Sequence, residues 1–185
     1  MFEAFTGHSD RLPQAIGFRP ITTDDQPFLA RLYASTREEE LRQVPWSREQ
    51  KDEFLGMQFQ AQHRYYQEHF HKAQFLVIEQ DGSAIGRVYL DRREDEIRLI
   101  DIALTPDCRG AGLGSQLLLD LLDEARARQL PVRIHVEQFN PAMRLYLRLG
   151  FKKIEDQGVY HLMEWTGAAN HADEAVAIGV ADNSA

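Results

Sequence analysis

Apolar and polar positions change period several times along the chain, and each change marks an element. Residues 16–21 alternate briefly as a strand, after which Thr23 stands as a cap before Phe28, Leu29, Leu32 and Tyr33, whose spacing predicts a helix. Residues 41–46 form a loop broken at Pro45. From Ser47 a second helix carries Phe54, Leu55, Gln58, Phe59, Gln62 and Tyr66 along one partly aromatic face. Period two returns at 75–79 and 84–90, and Asp81-Gly82 between them predicts a hairpin. After a charged turn at 91–95, residues 97–104 are apolar on both faces, the pattern of a central strand.

The next segment has a helical stripe, with Leu113, Leu117 and Leu121 on one row and Leu118, Leu122 and Ala125 on the next, suited to packing on a sheet. Glu124 and Arg128 form an i, i+4 pair on its exposed side, and Pro131 ends it. A strand at 132–137, a short helix from Asn140 and a closing hairpin of 151–156 and 159–165 around Gln157-Gly158 complete the pattern. This leaves a flexible N-terminus at 1–15, a folded domain at 16–165 and a tail at 166–185, rich in Ala, Gly, Asn and Asp, that is expected to be disordered.

Composition narrows the function classes. The length of 185 residues suits one domain with a sizeable core. Cys108 is the lone cysteine, so no internal disulfide forms. The first residues carry Glu3, Asp10 and Arg11 without an apolar run, unlike a signal peptide, and no stretch approaches membrane-spanning length. These features predict a cytoplasmic protein with no membrane partner. The net charge of −8 disfavours nucleic acid, which is held by clustered Lys and Arg, and favours a cationic partner such as an amine.

Between the central strand and the leucine-striped helix lies Arg109-Gly110-Ala111-Gly112-Leu113-Gly114-Ser115. Glycines let an anion approach the backbone, and several N–H groups at a helix start, reinforced by the helix dipole, can converge on a pyrophosphate. No lysine follows Gly114 to meet a terminal phosphate, which weakens a P-loop reading. Its G-x-G-x-G spacing also departs from the G-x-G-x-x-G of dinucleotide folds. After the 132–137 strand comes a second block, Asn140-Pro141-Ala142-Met143-Arg144-Leu145-Tyr146-Leu147-Arg148-Leu149-Gly150-Phe151.

The two blocks, in this order, resemble the GNAT superfamily of N-acetyltransferases. The first matches its acetyl-CoA pyrophosphate loop R/Q-x-x-G-x-G/A at Arg109, Gly112 and Gly114, and the second its N-x-x-A/R-x-x-x-Y-x-x-x-G-F segment. The resemblance covers roughly residues 17–165. It implies an α/β fold with a mixed, mostly antiparallel sheet flanked by helices, in which the parallel strands 97–104 and 132–137 splay to admit the cofactor. It implies acetyl-CoA as co-substrate, no metal, and direct transfer to a primary amine of a small molecule, peptide or protein by a monomer or homodimer. The cofactor would meet the backbone of Ile102, Ala103 and Leu104, the loop Arg109, Gly110, Ala111, Gly112, Leu113, Gly114 and Ser115, and Asn140. Tyr146 would face the thioester sulfur as general acid.

Each of these also has a structural reading. Asn140-Pro141 makes an ordinary helix start, and Tyr146 shares an apolar stripe with Ala142, Leu145 and Leu149. The family fixes no base position, so three candidates stand. Glu137 and His135 share one face of a strand and are placed ahead of Asp101, which could instead pair with Arg87 or Arg133. Acceptor recognition is assigned to about residues 24–70, where Glu38, Glu39 and Glu40 could attract a cation and Trp46, Tyr65 and Tyr66 could pack an apolar part. His69 and His71 lack further metal ligands, and Cys108 reads as a loop residue, not a nucleophile. The alternatives to a transferase are a noncatalytic acyl-CoA-binding or interaction module and, third, a nucleotide-phosphate binder.

Overall fold

One seven-stranded sheet organises the described residues, in the order β1 (Ile16–Pro20), β2 (Gln74–Gln80), β3 (Ser83–Arg92), β4 (Ile97–Leu104), β5 (Val132–Glu137), β7 (Tyr160–Trp165) and β6 (Lys152–Gln157). The computed structural model describes residues 16–167, so the expected flexible segment at 1–15 and all but Thr166 and Gly167 of the tail lie outside the described residues. Every neighbouring pair is antiparallel except β4 and β5. The β2–β3 hairpin turns on Asp81 and Gly82, both left-handed (φ 51° and 77°), the geometry that matches the twist of paired strands.

Among the described residues four α-helices cover the sheet: α1 (Gln26–Arg42), α2 (Arg48–His69), α3 (Leu113–Arg128) and α4 (Met143–Arg148). The predicted leucine stripe of α3 is buried at every position and packs on Val88, Leu90, Ile97, Leu99, Val132 and Ile134. Burying each such side chain contributes about 1.5–3 kcal/mol. On β3 the alternate residues Arg87 and Tyr89 meet Gln62 and Tyr66 of α2. Strand alternation therefore puts α3 and α2 on opposite faces. A second cluster, Leu29, Tyr33, Leu55 and Phe59, joins α1 to α2.

A bulge in β4 decides which face its side chains take. Leu90 pairs with Leu99, but the next residue of β3, Tyr89, pairs with Asp101, leaving Ile100 as the extra residue. Plain alternation would turn Asp101 toward the α3 core with Leu99; the bulge turns it to the α2 face instead.

Several boundaries differ from the sequence reading. Thr22, not Thr23, precedes the first helical turn, because Asp25, gripped by both terminal nitrogens of Arg19 (2.7 and 2.8 Å), accepts from the Thr22 N–H and hydroxyl. The predicted loop at 41–46 is shorter, since α1 runs to Arg42, while Ser47 caps α2 reciprocally with Gln50 as its position suggests. Glu124 does pair with Arg128 but also grips Arg92 of β3 at 2.7 and 2.8 Å, so it ties helix to sheet rather than standing in solvent. Asn140 caps the turn before α4, its Oδ1 accepting from the Ala142 N–H at 2.8 Å. The closing hairpin turns at Gly158-Val159, with Gly158 in the left-handed region (φ 76°).

Strands β3 and β4 approach closely at Gly86, where an added Cβ would lie 2.5 Å from the Ala103 carbonyl oxygen and 2.8 Å from a Leu104 methyl. Backbone cannot yield there. The Gly86→Ala variant is expected to lose about 1–3 kcal/mol of stability by urea denaturation, from overpacking alone.

Candidate functional site

The β4–β5 ladder holds for three registered pairs, Ile97 with Val132, Arg98 with Arg133 and Leu99 with Ile134, and then stops. Beyond it the two strands are no longer paired with each other. A cavity of about 170 Å³ opens where they part, with Asp101, Ile102 and Ala103 on one wall and His135 and Glu137 on the other. Asn140 and Tyr146 close it from the α4 side. Seven of the residues given catalytic or cofactor roles from sequence are thus brought to one place. Leu104 lies just beyond, at the end of β4.

The glycine loop follows β4 directly. Gly110 and Gly112 have φ of 77° and 90°, and nothing lies within 4 Å of where their side chains would be. Both features favour glycine: the backbone conformation is strained for other residues, and the space in front stays clear. Leu113, Gly114 and Ser115 form the first turn of α3, whose N–H groups have no partner within the helix. Gly114 packs against Leu104, with 3.7 Å between its would-be Cβ and a leucine methyl. Arg109 does not reach toward this opening. Its Nε donates to the Leu104 carbonyl (2.8 Å), and its terminal nitrogens donate to the carbonyl and hydroxyl of Ser35 on α1 (3.2 and 2.7 Å). The guanidinium is thus committed to Leu104 and Ser35, while the space in front of Gly110 and Gly112 stays clear.

Two ion pairs shape the rest of the cavity. Arg87, buried at 3% exposure, donates to Asp101 at 2.6 Å and to Gln62 at 3.0 Å. Asp101 is therefore paired with Arg87, not Arg133, which goes to Glu164 and Glu96. Across the cavity Arg37 grips Glu137 through both terminal nitrogens, at 2.7 and 2.5 Å, and also bonds Glu40. The Tyr160 hydroxyl donates to Glu137 at 3.4 Å. The Arg37 hydrogen bonds hold the Glu137 carboxyl below its usual range, against the opposing effect of burial.

Tyr146 is 4% exposed, with its ring edge-on to Phe151 at 5.6 Å. Burial, and secondarily the charge of Asp101, push its phenol up, so it keeps its proton at any working pH. His135 stands at the solvent side of the cavity, its Nδ1 3.3 Å from Arg98. Partial desolvation and then Arg98 lower its pKa, leaving a neutral ring at pH 7.

Of the proposed acceptor-side residues, Glu40 and Tyr66 line the cavity, together with Tyr33, Thr36 and Arg37. Glu39 pairs with Arg42, Trp46 packs on Phe54 and Tyr65 stacks on His69, all away from it. Arg37 and Tyr160 carry no signal in the sequence, and Tyr33 reads there only as part of a helix stripe. The Arg37–Glu137 contact spans 100 residues and has no local signature. Among the described residues, no cluster of three or more His, Cys, Asp or Glu could hold a metal, and no helix is long and apolar enough to cross a membrane.

Comparison with known proteins fits this geometry. Residues 30–151 match the family model described as Acetyltransferase (GNAT) family. A putative [ribosomal protein bS18]-alanine N-acetyltransferase of Bacillus subtilis is 34% identical over 83 residues, covering 43% of this chain and 54% of that protein. A mycothiol acetyltransferase of Thermobifida fusca is 37% identical over 82 residues, covering 43% of this chain and 22% of that protein. The chain thus spans about half the length of the first curated relative and about a fifth of the second. In fold it is similar to the PaiA N-acetyltransferase of Thermoplasma acidophilum, solved with coenzyme A, with a TM-score of 0.61, 19% identity, and coverage of 82% of this chain and 98% of that one.

The Arg37–Glu137 pair sets a pH signature. The folded-state pKa of Glu137 is depressed, so its contribution to stability is present above the unfolded value of about 4.3 and is lost as pH falls through the folded value. Glu137→Gln should cost about 1–2 kcal/mol at pH 7, and the gap should close progressively below about pH 4, read by urea denaturation across pH.

Proposed function

The chain belongs to the acetyltransferase (GNAT) family, and on that premise we propose that it transfers an acetyl group from acetyl-CoA to a primary amine by direct attack in a ternary complex. The observation that carries this reading is the parting of β4 and β5 after Leu99 and Ile134, with an open glycine loop at one end and a buried phenol behind it. The unpaired edge of β4 at Ile102 and Ala103 offers backbone groups to the pantetheine amides, as an added strand would use them. The amides of 110–115 take the pyrophosphate. Asn140 lies where the arm enters.

An alkyl ammonium near pKa 10.4 must lose a proton before it attacks, at a cost of roughly 4–5 kcal/mol at pH 7. Of the three candidate bases, Glu137 has both oxygens committed to Arg37, and His135 stands at the rim beside Arg98. Asp101 spends one oxygen on Arg87, and its charge is felt at Tyr146. We therefore assign proton removal to Asp101, reversing the order that the sequence suggested. Attack breaks the C–S bond, and the electron pair leaves with the CoA sulfur. Tyr146 donates its O–H to that sulfur. Because a thiol near pKa 8.5 is more acidic than a phenol, full transfer from Tyr146 is uphill by about 2 kcal/mol or more, so its hydrogen bond to the developing thiolate is the larger contribution.

The names of the relatives frame the acceptor as the amine of a polypeptide chain or of a small metabolite. The cavity rim, with Glu40 and Glu137 against Arg37, carries one net negative charge and suits the cationic form of either. The free thiol of Cys108 is consistent with a cytoplasmic setting.

Calorimetric titration with CoA and acetyl-CoA, followed by thiol release over a panel of primary amines and peptides, tests the reading. Binding without release across the panel would instead mark a noncatalytic acyl-CoA module. Once an acceptor is found, Tyr146→Phe should lower kcat by about 10²-fold while CoA affinity changes little. Unchanged turnover would remove Tyr146 from the mechanism.

A further inference from the structure

The Arg109 side chain, which heads the cofactor loop, is spent entirely on protein. Its Nε holds the carbonyl at the end of β4, and its terminal nitrogens hold the carbonyl and hydroxyl of Ser35 in the middle of α1. The Ser35 hydroxyl is used in both senses, donating to the Leu32 carbonyl at 2.7 Å while accepting from Arg109 at 2.7 Å. Only a hydroxyl residue can do both at this size. Two residues further on, Arg37 grips Glu137 across the cavity, while Tyr33, Thr36 and Glu40 of the same helix form the cavity wall. One stretch of α1 is therefore tied to the cofactor loop on one side and forms the acceptor wall on the other.

We propose that Arg109 and Ser35 are positioning residues that strap the cofactor loop to α1, so that an occupied loop holds the acceptor wall in place. The inference rests on the reading of the loop as a CoA site. Pyrophosphate on the loop amides restrains residues 109–115, Arg109 passes that restraint to Ser35, and the helix carries it rigidly to Tyr33, Thr36, Arg37 and Glu40. Neither Arg109 nor Ser35 touches the acceptor.

Hydrogen exchange by mass spectrometry on the full chain, with and without saturating CoA, tests the strap. In the unmodified protein CoA should slow exchange across residues 33–40 by about fivefold or more, in addition to protecting the loop. In Ser35→Ala, which keeps helix propensity, CoA should still bind within about twofold of the original affinity and protect the loop, but the protection of 33–40 should vanish. Ser35→Thr, which retains the hydroxyl, should restore it. Each variant is read against its own CoA-free state, so a simple loss of helix stability does not mimic the result. Equal α1 protection in Ser35→Ala, or none in the unmodified protein with CoA bound, would overturn the strap. Failure of the unmodified protein to bind CoA would overturn the functional reading and the strap with it.

Discussion

Everything at the site depends on where one hydrogen-bonded ladder ends. Strands β4 and β5 run parallel and share three pairs, after which their backbones separate while each stays tied to its outer neighbour, β3 on one side and β7 on the other. A sheet normally hides its main-chain donors and acceptors, because leaving them dry and unpaired is costly. Here a split in the middle of the sheet leaves a row of such groups facing a narrow space. The core beneath it allows this, since the α3 stripe packs across both strands below the fork and holds them together.

Charge inside the fork is handled by pairing. Arg87 is deeply buried and would be expensive alone, yet it meets Asp101 and Gln62, and the Arg37–Glu137 pair closes the facing side. The bulge at Ile100 makes the first of these pairs possible without placing a carboxylate among leucines. One inserted residue thereby separates the demands of the core from those of the cavity: Leu99 and Ile102 serve the α3 layer, and Asp101 between them serves the other face.

Much of this was legible in the chain. The element order, the central strand, the leucine stripe and the two motif blocks were visible because each is local: a period, a turn residue, or a spacing within about a dozen positions. Asn140, Tyr146, His135, Glu137, Asp101, Ile102 and Ala103 were named from those patterns and share one cavity. What stayed hidden is relational. Arg109 reads as a phosphate ligand by its place in the motif, but its partner Ser35 lies 74 residues earlier. Glu137 reads as a free base until Arg37, 100 residues away, is found on it. The bulge left a faint trace, since Leu99 and Ile102 are three apart where alternation asks for two.

Those long sequence separations also bear on how the chain acquires its site in time. Strands β2 to β4 are joined as neighbouring hairpins, whereas the Arg37–Glu137 pair requires β5 to have crossed over by way of α3 and docked beside β4. Contacts of such separation carry the loop-closure cost of the whole intervening chain, a cost that slows folding as non-local pairings accumulate. The cavity wall that this pair closes is therefore set by chain-wide topology, unlike the β2–β3 turn, which is set by its own two residues.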